Sequence, residues 1–502
     1  MSSNLKKIVY SGWPGGMNVL VDYQKCLSIQ LRQAINMIIL PDGVIATRPG
    51  MVLLGTGVAG TIYSLCQKKP SFPLVGHYSD KTLRMPITAY VLKTYSADAP
   101  GQFEFFNDIL LHTNGIDTMQ QWDGTALTTS DVVGSPLSRM VLRHNDRIFA
   151  ANGSVLYETT VDSAVDYAGG AAWNIGQGEG GDITGLGSLG GDLYVFKRQR
   201  IYRMTGYTKS ERVITLFTDR FGCVAPNSIK PVNLKSQGDV LLFVETQKRI
   251  CALNTTSVWD IGEFVQPRLD KIVATGSYYN LNMPLVSAEV SDIYKQYILR
   301  FPSSLTGVPN VVLCVAMDSP FSCDYGTRWG ITEWRTGGFN TTMNCFAETS
   351  DYGLLMASVN NAGTLSYPYQ MLPGSYTDDA LGENRPITAT FRTRDEDCEN
   401  DQSIKQWRRM MFRVSISLAA GYDTSFNFTQ YNDYETAVQA NVQTITQTSA
   451  YANFAGIFEK WIDLLNSSSF VSTKLSVSAV ATAIRYHGLE IYYKKGPTEN
   501  RI

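Results

Sequence analysis

A short pattern recurs four times in the first half of this chain: a turn dipeptide containing or ending in Asp, followed at once by an apolar run. The four aspartates are Asp108, Asp146, Asp192 and Asp239, so successive copies lie 38, 46 and 47 residues apart. Each run is short and rich in β-branched, aliphatic and aromatic residues, which favours a strand over a helix. A period of about 40 to 50 residues, with about four short strands in each copy, is typical of β-propeller blades.

The clearest copy lies at residues 190–207. Its two apolar runs flank a basic reversal at residues 197–200, which predicts a β-hairpin. One such unit cannot bury both of its faces alone, so several must pack around a ring. A later copy begins at Asp351. At roughly 45 residues per blade, residues 51–385 predict six to eight blades.

The segments outside the repeats have other patterns. Residues 34–39 and 44–47 are apolar runs joined by Pro41-Asp42-Gly43, so we expect an N-terminal hairpin there. Residues 413–418 and 425–429 alternate in polarity, as half-buried strands do.

We therefore predict an all-β chain: a β-propeller with an N-terminal hairpin segment and a C-terminal β-sandwich platform. The predicted boundaries are 1–50 for the segment that joins the platform, 51–385 for the propeller and 386–502 for the sandwich. Apolar residues between 450 and 465 also have some helical spacing, which predicts one helix inside the sandwich.

Composition sets limits on function. Of 502 residues, 44% are hydrophobic and 18% are charged, as in globular proteins, and the net charge of −2 argues against a global basic field for nucleic acid or acidic membranes. The eight cysteines include no C-x-x-C pair, so we expect reduced core thiols and no zinc site. The start lacks the apolar stretch of a secretory signal, and no apolar run approaches the roughly 20 residues of a membrane helix.

The motifs that could carry chemistry are weak. Two G-x-G-x-x-G matches, beginning at Gly176 and Gly185, precede a predicted hairpin instead of the helix that phosphate binding requires. The acids of residues 395–401 alternate as in a calcium loop, but Asn400 and Gln406 stand where an EF-hand needs Gly and Glu. A solvated acidic loop is the prediction there, with a calcium site as the alternative. We predict no catalytic residue, cofactor or metal.

Two basic runs are candidates for DNA contact or for a solvated surface. Solvated hairpin turns and strand faces are the prediction, and contact with DNA phosphates is the alternative. The candidate residues are Lys197, Arg198, Arg200, Lys405, Arg408 and Arg409.

Four stretches together resemble the tail nozzle or tail hub family of short-tailed bacteriophages, also described as tail tubular protein B-like or packaged-DNA stabilisation proteins. The resemblance extends to about residue 253 and is weaker in the C-terminal third. The stretches are residues 36–50, ending in Arg48-Pro49-Gly50; residues 143–153, followed by Trp173; residues 192–197, followed by Ile201, Tyr202 and Gly206; and residues 221–229, followed by residues 240–243.

The resemblance implies a structural virion protein that is made in the bacterial cytoplasm and is not an enzyme. In that family, six copies form a ring below the portal and adaptor proteins. Double-stranded DNA is retained in the channel and leaves through it without sequence recognition, and tail fibres or spikes dock outside. The N-terminal hairpin and the sandwich are then the expected assembly platform, through Ile35, Met37, Ile38, Val44, Arg48, Arg413, Val414, Ile416 and Leu418.

Two other functions stay open. A propeller that binds carbohydrate or a receptor would present aromatic and polar pockets, and glycan binding by a monomer would identify it. A propeller glycosidase would need two carboxylates about 5 to 9.5 Å apart in its central cleft, and a hydrolysis assay would identify it.

Overall fold

The structure is a computed structural model, and the descriptions below concern the residues that it describes. These are residues 6–20, 26–70, 72–179, 181–272, 283–302, 310–324, 326–335, 343–359, 365–372, 377–380, 383–396, 405–418, 423–432, 436–446, 454–464, 467–468, 471–479 and 484–495.

Six short strands precede the repeats. Among these six strands only the third and fourth pair with each other, in a hairpin, and the others pair with strands from later in the chain. They are β1 (Lys6–Tyr10), β2 (Leu31–Ile35), β3 (Met37–Ile39), β4 (Ile45–Thr47), β5 (Gly50–Leu53) and β6 (Val58–Ala59).

Seven antiparallel blades follow in the described part of the chain, so the prediction of six to eight is confirmed. Blades 1 to 3 contain β7 (Ile62–Cys66), β8 (Val75–Tyr78), β9 (Thr82–Met85) and β10 (Tyr90–Thr94); β11 (Gln102–Phe106), β12 (Ile109–Thr113), β13 (Gln120–Trp122) and β14 (Ser130–Asp131); and β15 (Val141–His144), β16 (Arg147–Asn152), β17 (Val155–Glu158) and β18 (Ala171–Asn174).

Blades 4 and 5 also have four strands each. They contain β19 (Ile183–Leu189), β20 (Asp192–Lys197), β21 (Ile201–Thr205) and β22 (Val213–Thr218), and then β23 (Lys230–Leu234), β24 (Gly238–Val244), β25 (Ile250–Leu253) and β26 (Val258–Asp260). A 3₁₀ turn at Pro226–Ser228 precedes β23. Between blades 5 and 6 lie 3₁₀ turns at Glu263–Val265 and Met283–Leu285 and the helix α1 (Gln266–Asp270).

Blade 6 contains β27 (Ser287–Ser291), β28 (Gln296–Phe301), β29 (Val311–Cys323) and β30 (Gly326–Trp334). Blade 7 contains β31 (Met343–Thr349), β32 (Gly353–Val359) and β33 (Leu365–Leu372), and N-terminal strands complete it, because β5 and β6 both pair with β33. The beginning of the chain thus closes the ring by joining its last blade. Closure in this way protects a sheet edge that would otherwise be open.

The recurring aspartates mark one structural position. Each lies at the turn between the first and second strands of blades 2 to 5, or begins the second strand. The turns require a left-handed backbone: φ is 48° and 61° at Asn107 and Asp108, and 61° and 84° at Gly190 and Gly191. Positive φ at both central residues is the geometry of a two-residue hairpin, and Asn, Asp and Gly adopt it most readily.

Neighbouring blades share compact apolar clusters, which explains why the ring holds together. Leu111 and Val132 of blade 2 pack with Val141 and Ile148 of blade 3. Separate clusters join blades 1 and 2, blades 3 and 4, and blades 7 and 1. Each blade therefore buries both of its faces on its neighbours.

The C-terminal strands form a sandwich with the N-terminal ones. They are β34 (Thr377–Ala380), β35 (Glu383–Thr393), β36 (Lys405–Leu418), β37 (Asp423–Asn432), β38 (Thr436–Thr446), β39 (Phe454–Asp463), β40 (Ser467–Ser468), β41 (Val471–Ala479) and β42 (Ile484–Lys495). One sheet has the order β3-β4-β42-β36-β39, with β1 also on β42, and the other contains β2, β35, β41, β37 and β38.

Aromatic rings fill the space between the two sheets. The rings of Phe412 and Phe426 are 5.4 Å apart, and those of Phe391 and Tyr486 are 4.9 Å apart. The second sheet also continues into the propeller, because β2 pairs with β30 of blade 6 and β34 pairs with β5 of blade 7. The sandwich is therefore attached to the ring through blades 6 and 7.

The predicted helix at residues 450–465 is wrong. Residues 454–463 form β39, which pairs with β36 from Arg409–Asp463 to Leu418–Phe454. The apolar spacing fitted a helix, but pairing along ten residues satisfies the backbone more completely in the sheet. Among the described residues, no helix is long and apolar enough to cross a membrane.

Candidate functional site

The first strand of every blade faces the centre of the ring. These seven strands, with nearby loops, enclose a cavity of about 410 Å³. A concave space with a few convergent polar groups is the usual form of a ligand site, so this channel is the main candidate site. One lining residue from each first strand, in blade order, is Tyr63, Gln102, Leu142, Ser188, Lys230, Ala288 and Phe346.

Charges of both signs line this channel. They belong to Lys68, Glu104, Arg143, Lys230 and Glu289, which come from five different blades. Lys230 Nζ lies 3.0 Å from Glu289 Oε2, and Glu104 accepts a 3.1 Å hydrogen bond from the backbone N–H of Arg143. The lining is therefore nearly balanced in charge.

Lys68 is one of three cations in this lining. Desolvation lowers its pKa, but the carboxylates of Glu289 and Glu104 outweigh that effect, so its pKa lies above the ordinary value. Burial raises the pKa of Cys66 to about 12. Lys68 is therefore a cation at neutral pH, and Cys66 is a protonated thiol with little nucleophilic character.

Three histidines are core residues of the propeller. The rings of His77 and His112 are 4.6 Å apart between blades 1 and 2, and His112 Nδ1 lies 2.6 Å from the Tyr95 hydroxyl. Burial lowers the pKa of His77 and of His144 to about 4, and that of His112 well below its usual value. All three are therefore neutral at pH 7. Within the described part of the chain, no three His, Cys, Asp or Glu residues are grouped so that they could hold a metal ion.

Most of the predicted platform residues lie in the core of the chain. Ile35, Met37, Ile38, Val44, Arg48 and Val414 are all buried. Their expected role as an intersubunit surface is therefore wrong. The apolar N-terminal hairpin packs on the chain's own blades 6 and 7, as the contact between Trp334 Nε1 and the Met37 carbonyl oxygen at 2.9 Å illustrates.

The remaining platform candidates differ. Arg413 is half-exposed, and its Nε donates a 2.9 Å hydrogen bond to Glu459 Oε1 on the neighbouring strand. Ile416 and Leu418 are within β36, but their side chains lie outside the described residues.

The predicted basic residues divide into two groups. Arg198, Arg408 and Arg409 are exposed and Arg200 is half-exposed. Lys197 and Lys405 are buried, so the expectation of a channel or surface position is wrong for these two. None of the six is among the residues that line the propeller cavity.

Lys197 has a structural role instead. Its Nζ donates hydrogen bonds to the carbonyl oxygens of Gly176 and Glu179 at 2.9 and 2.8 Å. The first G-x-G-x-x-G match is therefore part of a connection between blades 3 and 4, fixed by this lysine. The strand β19 follows it, so the expectation that no helix follows is confirmed.

The beginning of the acidic segment is buried rather than solvated. Asp395 lies 3.5 Å from Arg32 and 3.8 Å from Arg392, and Glu396 pairs with Arg394. The prediction of a solvated loop is therefore wrong for these two acids, which are buried against the neighbouring Arg392 and Arg394 and, for Asp395, against the distant Arg32. Residues 397–401 lie outside the described residues.

The cysteines that the structure describes are free thiols, which confirms that part of the prediction. They are Cys26, Cys66, Cys223, Cys251, Cys314, Cys323 and Cys345. Cys398 lies outside the described residues.

Sequence reasoning missed the charged lining of the channel. Its members are 36 to 221 residues apart and share no motif. The signal that was available is positional, because each lining charge lies on or just after the first strand of a predicted blade.

No family model and no curated protein matches this chain. Among solved structures, BamB from Moraxella catarrhalis is similar over 73% of this chain and 97% of its own, with 9% identity and a TM-score of 0.35. The N-terminal domain of Nup159 is similar over 64% and 95%, with 12% identity and a TM-score of 0.31. Both likenesses are too distant for a functional conclusion, and the propeller is identified by its own blades, five of which are separate four-stranded sheets.

Proposed function

We propose that this chain is a structural subunit of a short-tailed bacteriophage particle, a tail nozzle or hub protein that forms a ring around the DNA exit channel. The observation that carries the proposal is the division of the chain into two bodies. The two ends of the chain build one sandwich, attached to blades 6 and 7. Such a sandwich is available to join neighbouring copies while the propeller projects.

The assembly surface in this proposal is the outer face of β36, β39 and β42. There the Arg409 guanidinium lies 4.4 Å from the Trp461 ring centre and 5.3 Å from that of Tyr492. The Trp461 side chain is 44% exposed. Exposed tryptophan beside arginine is typical of the centre of protein interfaces.

The charge distribution also supports a protein that lets DNA pass. The net charge is −2, and the exposed predicted cations are few. Each phosphate contact adds salt-dependent affinity, so a strongly basic lumen would retain DNA instead of releasing it. Neighbouring tail proteins, fibres and double-stranded DNA are the partners in this proposal.

The test is the oligomeric state of the purified full chain, by light scattering and negative-stain imaging. We expect rings of six copies, and the double variant Arg409→Ala/Trp461→Ala should reduce them to monomers. Val213→Ser/Leu216→Ser is the matched control, because it changes two exposed residues on the outer strand of blade 4. Monomers at high concentration for the unaltered chain, or equal loss in both variants, would contradict the proposal.

A second function, binding of a small polar ligand such as a glycan in the propeller, is favoured by the 410 Å³ channel and its mixed charges. Glu104 and Glu289 both line this channel, so the glycosidase hypothesis can be tested as well. A glycan array and a hydrolysis screen with Glu104→Gln and Glu289→Gln distinguish the cases. Activity that is lost in both variants would favour the enzyme over the nozzle.

A further inference from the structure

The charged side chains of the propeller channel differ in how they are bonded. Lys230 Nζ lies 3.0 Å from Glu289 Oε2, so these two groups neutralise each other. Glu104 accepts hydrogen bonds from two backbone N–H groups, at 2.9 and 3.1 Å. Lys68, by contrast, is exposed and makes no hydrogen bond or ion pair with any residue that the structure describes. A ligand in the channel can therefore reach its ammonium group directly.

The Lys68 ammonium nevertheless lies near the acidic groups of the channel. The carboxylates of Glu289 and Glu104 both raise its pKa, so both act on it through space although neither bonds to it. The charges of Lys68, Lys230, Glu104 and Glu289 also all act on the pKa of the Cys66 thiol. Blades 1, 2, 5 and 6 therefore bring these four charges to one part of the channel.

Other hydrogen-bond donors of the lining are unused as well. The side-chain oxygen of Gln102 accepts a 3.2 Å hydrogen bond from a backbone N–H, which leaves the N–H groups of its amide without a described partner. The Asn227 side chain makes no hydrogen bond within the described part of the chain. The Arg143 guanidinium lies 4.9 Å from the centre of the Phe106 ring and has no ion pair with a described acid. The channel therefore has several donors available to an oxygen-rich ligand.

We propose that the propeller channel binds a sugar that carries one carboxylate, such as a uronic acid, and that Lys68 recognises this carboxylate. The inference deepens the second function named above and rests on the channel as a ligand site. Ammonium and carboxylate form a charge-assisted hydrogen bond, which is stronger than one between neutral groups. An ionised carboxylate has about four acceptor sites, so Glu104 and Glu289 can also accept hydrogen bonds from sugar hydroxyls. The Tyr63 and Phe103 rings supply apolar surface for the sugar ring.

Other ligand classes match the channel less well. Its described lining contains three cations and two carboxylates, a net charge of +1 that a single carboxylate balances. A phosphate or sulfate dianion would bring a second negative charge toward Glu104 and Glu289. A neutral sugar would leave the charge of Lys68 unused. The cavity of about 410 Å³ lies within the usual range for small organic ligands, so it has room for a sugar.

The test compares Lys68→Met with Lys69→Met in the full chain. The first variant removes the ammonium group from the channel and keeps an apolar stem of similar length. The second is the matched control, because it makes the same change at the next residue, whose Nζ pairs with Asp108 outside the channel lining. Thermal unfolding checks that both variants are folded, and Lys68→Gln replaces Lys68→Met if that variant does not fold.

The probes are cellobiouronate and cellobiose, two disaccharides that differ only in a carboxylate that replaces one hydroxymethyl group. Each is titrated by saturation-transfer NMR near neutral pH and at constant ionic strength. We expect one saturable site that binds cellobiouronate about tenfold or more tightly than cellobiose. Lys68→Met should remove this preference by weakening the binding of cellobiouronate alone. Lys69→Met should change either affinity by less than about twofold.

Several results would overturn the inference. Equal binding of the two disaccharides, or an unchanged preference in Lys68→Met, would leave the channel as a glycan site in which Lys68 recognises nothing. Displacement of cellobiouronate by acetate or sulfate at the concentration that cellobiouronate itself requires would identify a simple anion site. Equal weakening in Lys68→Met and Lys69→Met would indicate a general charge effect. Absence of binding by both disaccharides would remove the second function as well, whereas the nozzle proposal is tested separately by the oligomeric state.

Discussion

Blades 2 to 5 and the sandwich are built on opposite principles. In those blades, every strand pairs with the next strand in the chain. In the sandwich, β1 pairs with β42 and β2 pairs with β35, so partners lie hundreds of residues apart. Local pairing leaves a repeated turn in the sequence, whereas distant pairing leaves none. The two regions therefore differ in how they fold and in how far they can be predicted.

The strongest test of this difference is the ion pair that joins the two ends of the chain. Arg48 Nη2 and Asp378 Oδ2 are 2.6 Å apart, and neither side chain is exposed. Arg48 also donates to Asn36 Oδ1 at 3.1 Å and to the Arg335 carbonyl oxygen at 2.9 Å. The arginine thus holds the N-terminal hairpin, blade 6 and the start of the sandwich together.

Arg48→Met should lower the free energy of unfolding by about 3 to 5 kcal/mol, because it leaves a buried carboxylate without its arginine. Urea unfolding measures the change. Lys69→Met is the control: Lys69 pairs with Asp108 at the surface, where the two side chains are 49% and 73% exposed, and its loss should cost less than about 1 kcal/mol. Equal effects of the two variants would show that the distant contact has no special importance for stability.

The same contrast explains which predictions succeeded. The blades were predicted from a dipeptide because the two-residue turn at Gly190 and Gly191 needs positive φ, a requirement that a sequence displays directly. The partner of Arg48 lies 330 residues away, and no local pattern identifies it. The apolar character of residues such as Met37 correctly indicated that they are buried, but it did not indicate which part of the protein they pack against. Assigning them to another subunit was therefore wrong.

Strand β39 illustrates a second limit. Phe454, Ile457, Phe458 and Trp461 have a spacing that fits a helix, and only pairing with β36 decides the strand. The charged lining of the propeller channel was missed for the same reason, since five separate blades supply its charges.

Acid should separate the two regions as well. The buried histidines with lowered pKa values, His77, His112 and His144, all belong to the propeller. Their pKa is near 6.5 in the unfolded chain, so the unfolded state binds protons first as the pH falls. The free energy of unfolding is therefore highest, with respect to these histidines, above about pH 6.5, and it falls progressively toward pH 4.

His77→Phe should remove this loss for one site while keeping an aromatic ring against His112 and Tyr95. The difference in free energy of unfolding between His77→Phe and the unaltered chain should change by on the order of 3 kcal/mol between pH 7 and pH 4. Urea unfolding at a series of pH values, with fluorescence of the tryptophans, measures it. An unchanged pH dependence in His77→Phe would mean that other groups control the acid response.

The smallest effect tests the local half of the comparison. Gly191 has φ of 84°, and a Cβ added there would meet no atom within 4 Å. Gly191→Ala therefore introduces backbone strain without a clash, and it should cost about 1 to 2 kcal/mol. Gly191→Asn is the matched control, because Asn tolerates the left-handed region and should lose less. Because this turn joins β19 to β20 and helps to set their register, hydrogen exchange should rise in blade 4 and stay unchanged in β36 and β42. Faster exchange in the sandwich to the same extent would show that the two regions unfold as one unit, despite their opposite construction.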